Sequence, residues 1–317
     1  MKTFFCLALI ALVCAAPLAA QGADISLVSD DQTLTVASGK QTLLKYNMAV
    51  VPSIDAEKPY YGRSGHIHPV YTPQGRLVTG DQCADHPHQH AIWLAWTSAE
   101  FDGRKIDLWN SHHRQGRVEH AELLSTEQND DAVSFSVRLK HLDLTAGNEP
   151  VEILQERWNV RVHSLTENHY LIDIESRQRC ATDKPVAIRQ HAYGGMAYRA
   201  PIDWNAPAGD FLTSDGKSRA DGNHTRPRWV DAFSAPDGRP CGLAAMQHPS
   251  NFGFPQPVRL HPKFEYFCFA PMVLGDFAIE PQHEYVSRYR FLIHDGAADR
   301  EFLEAAWKQY EATDPKE

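Results

Sequence analysis

The chain has 317 residues, of which 43% are hydrophobic, 10% aromatic and 22% charged, and this composition excludes disordered, collagen-like and low-complexity classes. Its 31 basic and 40 acidic residues give a net charge of −9, which supplies no general attraction to phosphate backbones or anionic membranes, so nucleic acid is not expected as a partner. The unusual count is 17 histidines, 8 of which fall between His66 and His120.

The first 23 residues read as an export signal. Lys2 gives a positive start, an uncharged apolar run follows from Phe4 to Ala16, and Gln21-Gly22-Ala23 offers a cleavage point. The mature protein is then residues 24–317, in the periplasm or secreted, and no later run is long and apolar enough for a membrane span. Cys83, Cys180, Cys241 and Cys268 remain after cleavage, where an oxidising compartment allows disulfides without requiring them.

Beyond the signal, most of the chain has the two-residue rhythm of half-buried strands. Val133, Phe135, Val137 and Leu139 alternate with polar residues, and Leu154, Glu156, Trp158, Val160 and Val162 share one side of the next run. Residues 168–175 and 283–294 are further strands of this kind. Asp102-Gly103, Asp237-Gly238 and Asp295-Gly296 punctuate the pattern as turns. One helix is expected, at the end, where Phe302, Leu303, Ala306, Trp307 and Tyr310 fall at helical spacing behind Asp299 as N-cap. Many strands with almost no interleaved helix give an all-β protein: a large antiparallel β-sandwich with few helices and a C-terminal helix, expected as a single domain.

The densest chemical signal is Asp85-His86-Pro87-His88-Gln89-His90, running into Ala91-Ile92-Trp93. Read as the start of a strand, it puts His86, His88 and His90 on one face, where neutral imidazoles can ligate metal, move protons or hydrogen-bond hydroxyls. Two versions stand open: a divalent transition metal held by His86, His88 and His90, or a metal-free pocket in which histidine is acid or base. A second group is Ser111-His112-His113-Arg114 behind Trp109, on a polar loop. In a third, Arg189 and His191 alternate ahead of Gly194-Gly195, where an arginine beside a histidine can neutralise an oxyanion and the glycines admit a ligand to the backbone. The plainer alternative for Arg189 is a brace to a carboxylate. The fourth, His248-Pro249-Ser250-Asn251, precedes the aromatic Phe264-Glu265-Tyr266-Phe267. Signatures of serine hydrolases, zinc proteases and phosphate loops are absent from the sequence.

These motifs, with Pro69-Val70-Tyr71-Thr72-Pro73-Gln74-Gly75 and the closing Tyr289-Arg290-Phe291-Leu292-Ile293-His294-Asp295-Gly296, resemble the secreted PmoA-like family of bacterial proteins. The chain is more distantly similar to galactose-mutarotase-type supersandwich proteins. That resemblance implies sugar-ring chemistry by histidines on a concave sheet, helped by a carboxylate and an arginine. His88 or His90 and the Arg189/His191 pair would match that set, with Glu156 and Glu265 as candidates for the base.

The expectation is an exported carbohydrate-active protein with a histidine-lined cleft, acting on a carbohydrate or other small polar ligand. His88, His90, Arg189 and His191 form the catalytic set; Asp85, His86, Trp93, Trp109, His112, His248 and Asn251 form the binding set. This reading requires no cofactor, and a working histidine near its ordinary pKa would make activity change between about pH 5 and 8. The alternatives are a noncatalytic glycan-binding module and a mononuclear metalloenzyme built on His86, His88 and His90.

Overall fold

A computed structural model describes residues 25–314, so the expected signal, residues 1–23, lies outside the described residues. Two eight-stranded sheets dominate, and a four-stranded sheet stands beside them. The first sheet runs, edge to edge, Ile25–Ser29, Thr33–Ser38, Gln41–Asn47, His66–Val70, Ile92–Ala95, Gly195–Arg199, Tyr266–Phe269 and Val258–Leu260. The second runs Gly209–Thr213, Trp229–Ser234, Cys241–Gln247, Tyr285–Asp295, His169–Cys180, Val151–His163, Ala132–Asp143 and Gly116–Gln128. Phe277–Ile279, Val186–Ile188, Ala99–Phe101 and Arg104–Ile106 make the small sheet. The strand pairs are antiparallel throughout, so the all-β sandwich expected from the alternation is the fold.

The alternation decides which side of each strand is wet. In Val151–His163 the residues Leu154, Glu156, Trp158, Val160 and Val162 are buried, while Arg157 and Arg161 are exposed. Across the interior Tyr46 of the first sheet meets Phe135 and Trp158 of the second, with ring centroids 5.5 and 6.4 Å apart, and Phe269 stacks on Tyr289 at 5.5 Å. One carboxylate belongs to this interior. Glu156 accepts hydrogen bonds from His141 Nε2 and Trp158 Nε1 at 2.7 Å and from Ser176 Oγ at 2.5 Å. Burial raises the pKa of Glu156, and these three donors together outweigh burial and leave it below the ordinary value. Saturated by its neighbours and sealed between sheets, Glu156 is a structural anion and not a base within reach of a ligand.

The C-terminal helix, Arg300–Glu311, covers the outer face of the second sheet. Leu303, Trp307 and Tyr310 bury against Trp229, Met246 and Leu292, and Trp307 Nε1 donates to the Gln247 carbonyl at 3.0 Å. Asp299 caps it as expected, its Oδ1 accepting from the backbone N–H groups of Glu301 at 3.0 Å and Phe302 at 3.1 Å. The described cysteines Cys83, Cys180, Cys241 and Cys268 are free, so the fold is held without disulfides among them. Burial pushes the thiols of Cys241 and Cys268 up to about 12 and raises that of Cys83, which removes Cys83 as a nucleophile. Among the described residues no helix is long and apolar enough to cross a membrane. Asp299→Ala removes the cap and is expected to cost about 1 kcal/mol in urea denaturation, leaving the far-UV strand signal unchanged.

Candidate functional site

The first sheet is dry on both faces where it carries the strands Ile92–Ala95, Gly195–Arg199 and Tyr266–Phe269, every residue of which is buried. Phe269 points inward to Tyr289, so by alternation Tyr266 and Cys268 point outward. Their cross-strand partners Arg199 and Ala197 share that outer face, as does Trp93 opposite Ala197. Loops must therefore cover this side, and these loops carry the histidines.

Arg199 fixes the covering loop. Its guanidinium is fully buried, and Nη2 donates to both carboxylate oxygens of Asp85 at 2.9 and 3.0 Å, with Asn205 Nδ2 donating to the same carboxylate at 2.7 Å. Arg199 Nε and Nη1 are buried without a protein partner. Directly after Asp85 the imidazoles form a continuous row. The ring centroids of His86 and His88 are 5.5 Å apart, those of His88 and His112 5.6 Å, and those of His86 and His261 5.6 Å. His86 also stands edge-on to Phe264 at 4.6 Å, and His261 stacks on the same ring at 4.5 Å. At the other end His112 touches His113, whose Nδ1 lies 2.8 Å from Asp107 Oδ2.

Burial holds much of this row neutral. It lowers His88 to about 3, with the neighbouring His86 and His112 adding to the effect, and lowers His261 to about 4 with help from Arg259. The His86 pKa is also lowered by burial, against the pull of Asp85. The expected titration near pH 6.5 is thus corrected for His88 and His261, which are uncharged throughout pH 5 to 8, and His86 is shifted in the same direction. For stability the sign is fixed. The unfolded chain protonates these groups below about pH 6.5 and the folded chain does not, so stability is complete above that value and declines as pH falls. Each such buried group contributes at most about 1.4 kcal/mol per pH unit. The urea midpoint should fall between pH 7 and pH 5, and His88→Gln, which cannot titrate, should show a smaller fall; an equal fall in the variant would remove His88 from the set.

The structure places the other predicted residues differently. The segment from Asp85 to Gln89 is a series of turns and not a strand, and the strand begins only at Ile92. Pro87 cannot donate to a ladder and Ala91 takes a positive φ of 58°, so the three histidines do not share a strand face. His90 turns inward. Its Nδ1 meets Asp81 Oδ1 at 2.9 Å, and His66 Nε2 lies 3.4 Å from Asp81 Oδ2. The expected metal set of His86, His88 and His90 is accordingly not assembled; the tight group of potential ligands is His66, Asp81 and His90. His90 also lines a cleft of about 170 Å³, together with Trp109, Arg63, Ser64, Ser111 and Arg114.

Arg189 is exposed on the small sheet and pairs with Glu100 and Asp276, each at 3.0 Å, which is the bracing role and not a clamp facing the histidine row. His191 leans on Tyr193 at 4.5 Å, and Tyr193 in turn on Trp109 at 5.6 Å. Gly194 and Gly195 admit the protein's own atoms: a Cβ on Gly195 would lie 2.4 Å from the Phe269 carbonyl oxygen, at a φ of 89°. His248 and Asn251 lie elsewhere, His248 against Tyr310 of the C-terminal helix and Asn251 bonded to the Arg288 backbone. Glu265 is buried beneath the loops in contact with Arg219, and burial pushes its carboxyl up to about 8 despite that arginine. Trp93 and Trp109 are buried and pack on each other at 4.8 Å, as core rather than as open platforms. Trp93→Ala is therefore expected to lose about 3–5 kcal/mol of stability by chemical denaturation; an unchanged midpoint would restore an exposed sugar-stacking role.

Two residues of the row and its floor escaped the sequence: Arg199 and His261. A signal existed for His261, since His261-Pro262 sits three residues ahead of the aromatic run already singled out. For Arg199 there was none, because a lone arginine in an otherwise apolar strand carries no local mark of its partner.

The family comparison places the chain without assigning it a chemistry. The profile of DUF6807, a family of unknown function, matches residues 33–308. The chain belongs to that family. The expected PmoA-like name is not what the family comparison returns. A search of curated proteins finds no match. Among solved structures, the GalM/aldose epimerase homologue from C. elegans is similar at 10% identity and a TM-score of 0.37, over 87% of this chain and 100% of that one. The heparan sulfate lyase from Pedobacter heparinus is similar at 10% identity and a TM-score of 0.37, over 88% of this chain. This chain spans only 36% of the length of that lyase.

Proposed function

We propose that this DUF6807 protein is exported to the periplasm or beyond, as one domain, and that it binds and chemically modifies a carbohydrate on the outer face of its first sheet. The observation that carries this reading is the row of His86, His88, His112 and His261 standing beside the buried Asp85–Arg199 pair. Neutral imidazoles offer one donor and one acceptor each, which suits the paired demands of sugar hydroxyls. Phe264 supplies an apolar ring beside His86 and His261 for the C–H face of a sugar. Arg199 Nε and Nη1 are donors that the protein leaves unused, and such atoms call for a ligand or ordered water.

In the catalytic form of this reading neutral His88 accepts a proton from a ring carbon or hydroxyl and, as the imidazolium so formed, returns that proton to the product or leaving-group oxygen, with His86 and His112 as hydrogen-bonding neighbours, giving epimerase, lyase or hydrolase chemistry. The base is a neutral imidazole from pH 5 upward, so the acid limb of the rate profile lies near pH 3 to 4 and the rate is flat between pH 5 and 8. The noncatalytic alternative has its own support: among the described residues no carboxylate bonds to His88, so nothing orients that ring as a base.

Incubation with an oligosaccharide library, read by mass spectrometry, separates the two. New products that disappear in His88→Ala, with turnover reduced about 10²-fold or more, support catalysis. Retention of a glycan with no product supports a binding module. Turnover or binding that is unaffected by His88→Ala and His112→Ala together would move the site away from this row.

A further inference from the structure

We propose that His66, Asp81 and His90 form a binding site for one divalent first-row transition cation of the zinc type, separate from the histidine row. Two imidazoles and a carboxylate are a donor set suited to such ions. The spacing fits. Asp81 Oδ1 lies 2.9 Å from His90 Nδ1 and Oδ2 lies 3.4 Å from His66 Nε2, and the three ligand atoms all fall within 4.8 Å of one another. Metal–ligand bonds of about 2.0–2.2 Å in a tetrahedron put the ligand atoms about 3.4 Å apart, so closure asks only for small side-chain movements.

The backbone prepares this arrangement. Asp81 and His90 face each other as an antiparallel bridge, and the Gln82 N–H donates to the Gln89 carbonyl at 2.9 Å just beyond it. His66 opens the strand His66–Val70, in register with Asn47. Asn47 Nδ2 lies 3.3 Å from His66 Nε2 and also donates to the His68 carbonyl at 2.9 Å, so it keeps a partner when a cation takes the imidazole nitrogen.

Charge gives the cluster its reason. The Asp81 side chain is only 7% exposed, and its ion-pair partners among the described residues are these two imidazoles, with no lysine or arginine. Arg63 is buried and its charge acts on Asp81 through space, while its Nη2 donates to the Leu94 carbonyl at 3.1 Å. Two imidazoles and the through-space pull of Arg63 leave Asp81 a buried carboxylate without a direct cationic partner, which a metal ion would supply. Of the three, His90 lines the cleft of about 170 Å³, which is the side from which an ion would approach. The site closes the base of the excursion that carries His86 and His88, so a bound ion would stiffen that loop without touching the row.

The test uses full-length mature protein without an affinity tag, stripped with a chelator and titrated with zinc chloride by calorimetry. One saturating equivalent per chain is expected. Asp81→Asn and His66→Gln should each weaken binding at least about tenfold, the scale on which even outer ligand partners act. His88→Ala with His112→Ala should leave the zinc affinity as in the wild type. Absence of saturable binding overturns the proposal. Binding that survives Asp81→Asn but is lost with His88 and His112 overturns it in favour of the surface row. Should the Asp81 variant fail to fold, zinc-soaked wild-type crystals decide: an anomalous peak bonded to His66, Asp81 and His90 supports the site, and a peak elsewhere or none rejects it.

Discussion

The buried guanidinium of Arg199 constrains everything on the outer face of the first sheet. An arginine in the middle of a dry sheet is tolerable only if its charge is met, and Asp85 meets it from a loop more than a hundred residues away in sequence. That pair holds residues 85–90 down on the strands, and through them sets where the imidazoles stand. Removing Asp85 would leave Arg199 as an uncompensated buried cation, so the loop is bound by an electrostatic need that local turn preference could not supply. The histidine row is therefore a consequence of sheet burial: the loop that desolvates the arginine is also the loop that presents His86 and His88.

Two histidine environments follow from that one loop. At its tip, His86 and His88 look along the covered face to His112 and His261; burial lowers the pKa of both, and for His88 the neighbouring imidazoles add to the effect. At its base, His90 is turned inward by the Asp81–His90 bridge and shares a carboxylate with His66. Segregation of this kind, with one set of rings on the covered face and a carboxylate-bound pair inside, gives the two ends of a single short segment different chemical surroundings.

What the sequence disclosed and what it hid divide along the same line. Strand alternation is a local consequence of one wet and one dry face, so Ala132–Asp143, Val151–His163 and His169–Cys180 were visible as strands, and the Asp299 cap and its helix were equally plain. The residues 85–90 misled because His-x-His-x-His has the period of a strand, while Pro87 and the positive φ at Ala91 break the ladder that would give the period meaning. Arg189 misled for another reason. Its alternation with His191 is real in the sequence, but Glu100 and Asp276, which claim it, come from distant segments. Trp93 and Trp109 were assigned to ligand binding, and their mutual packing under the loops decides for core.

The same logic explains why both glutamates suggested by the resemblance fail as obvious bases, each in its own way. Glu156 has three donors between the sheets, so a substrate proton has no path to it. Glu265 sits under the loops against Arg219, with Oε1 left without a partner, and burial raises its pKa so that its charge is poorly supported near neutral pH. A carboxyl in that position can keep a proton where Glu156 cannot. The Arg219 that contacts it also donates to the His261 and Phe264 carbonyls, so the carboxyl and the His86–His261 contact are held by one loop. Proton chemistry on this face, if it draws on a carboxyl, is thus tied to the position of one aromatic loop.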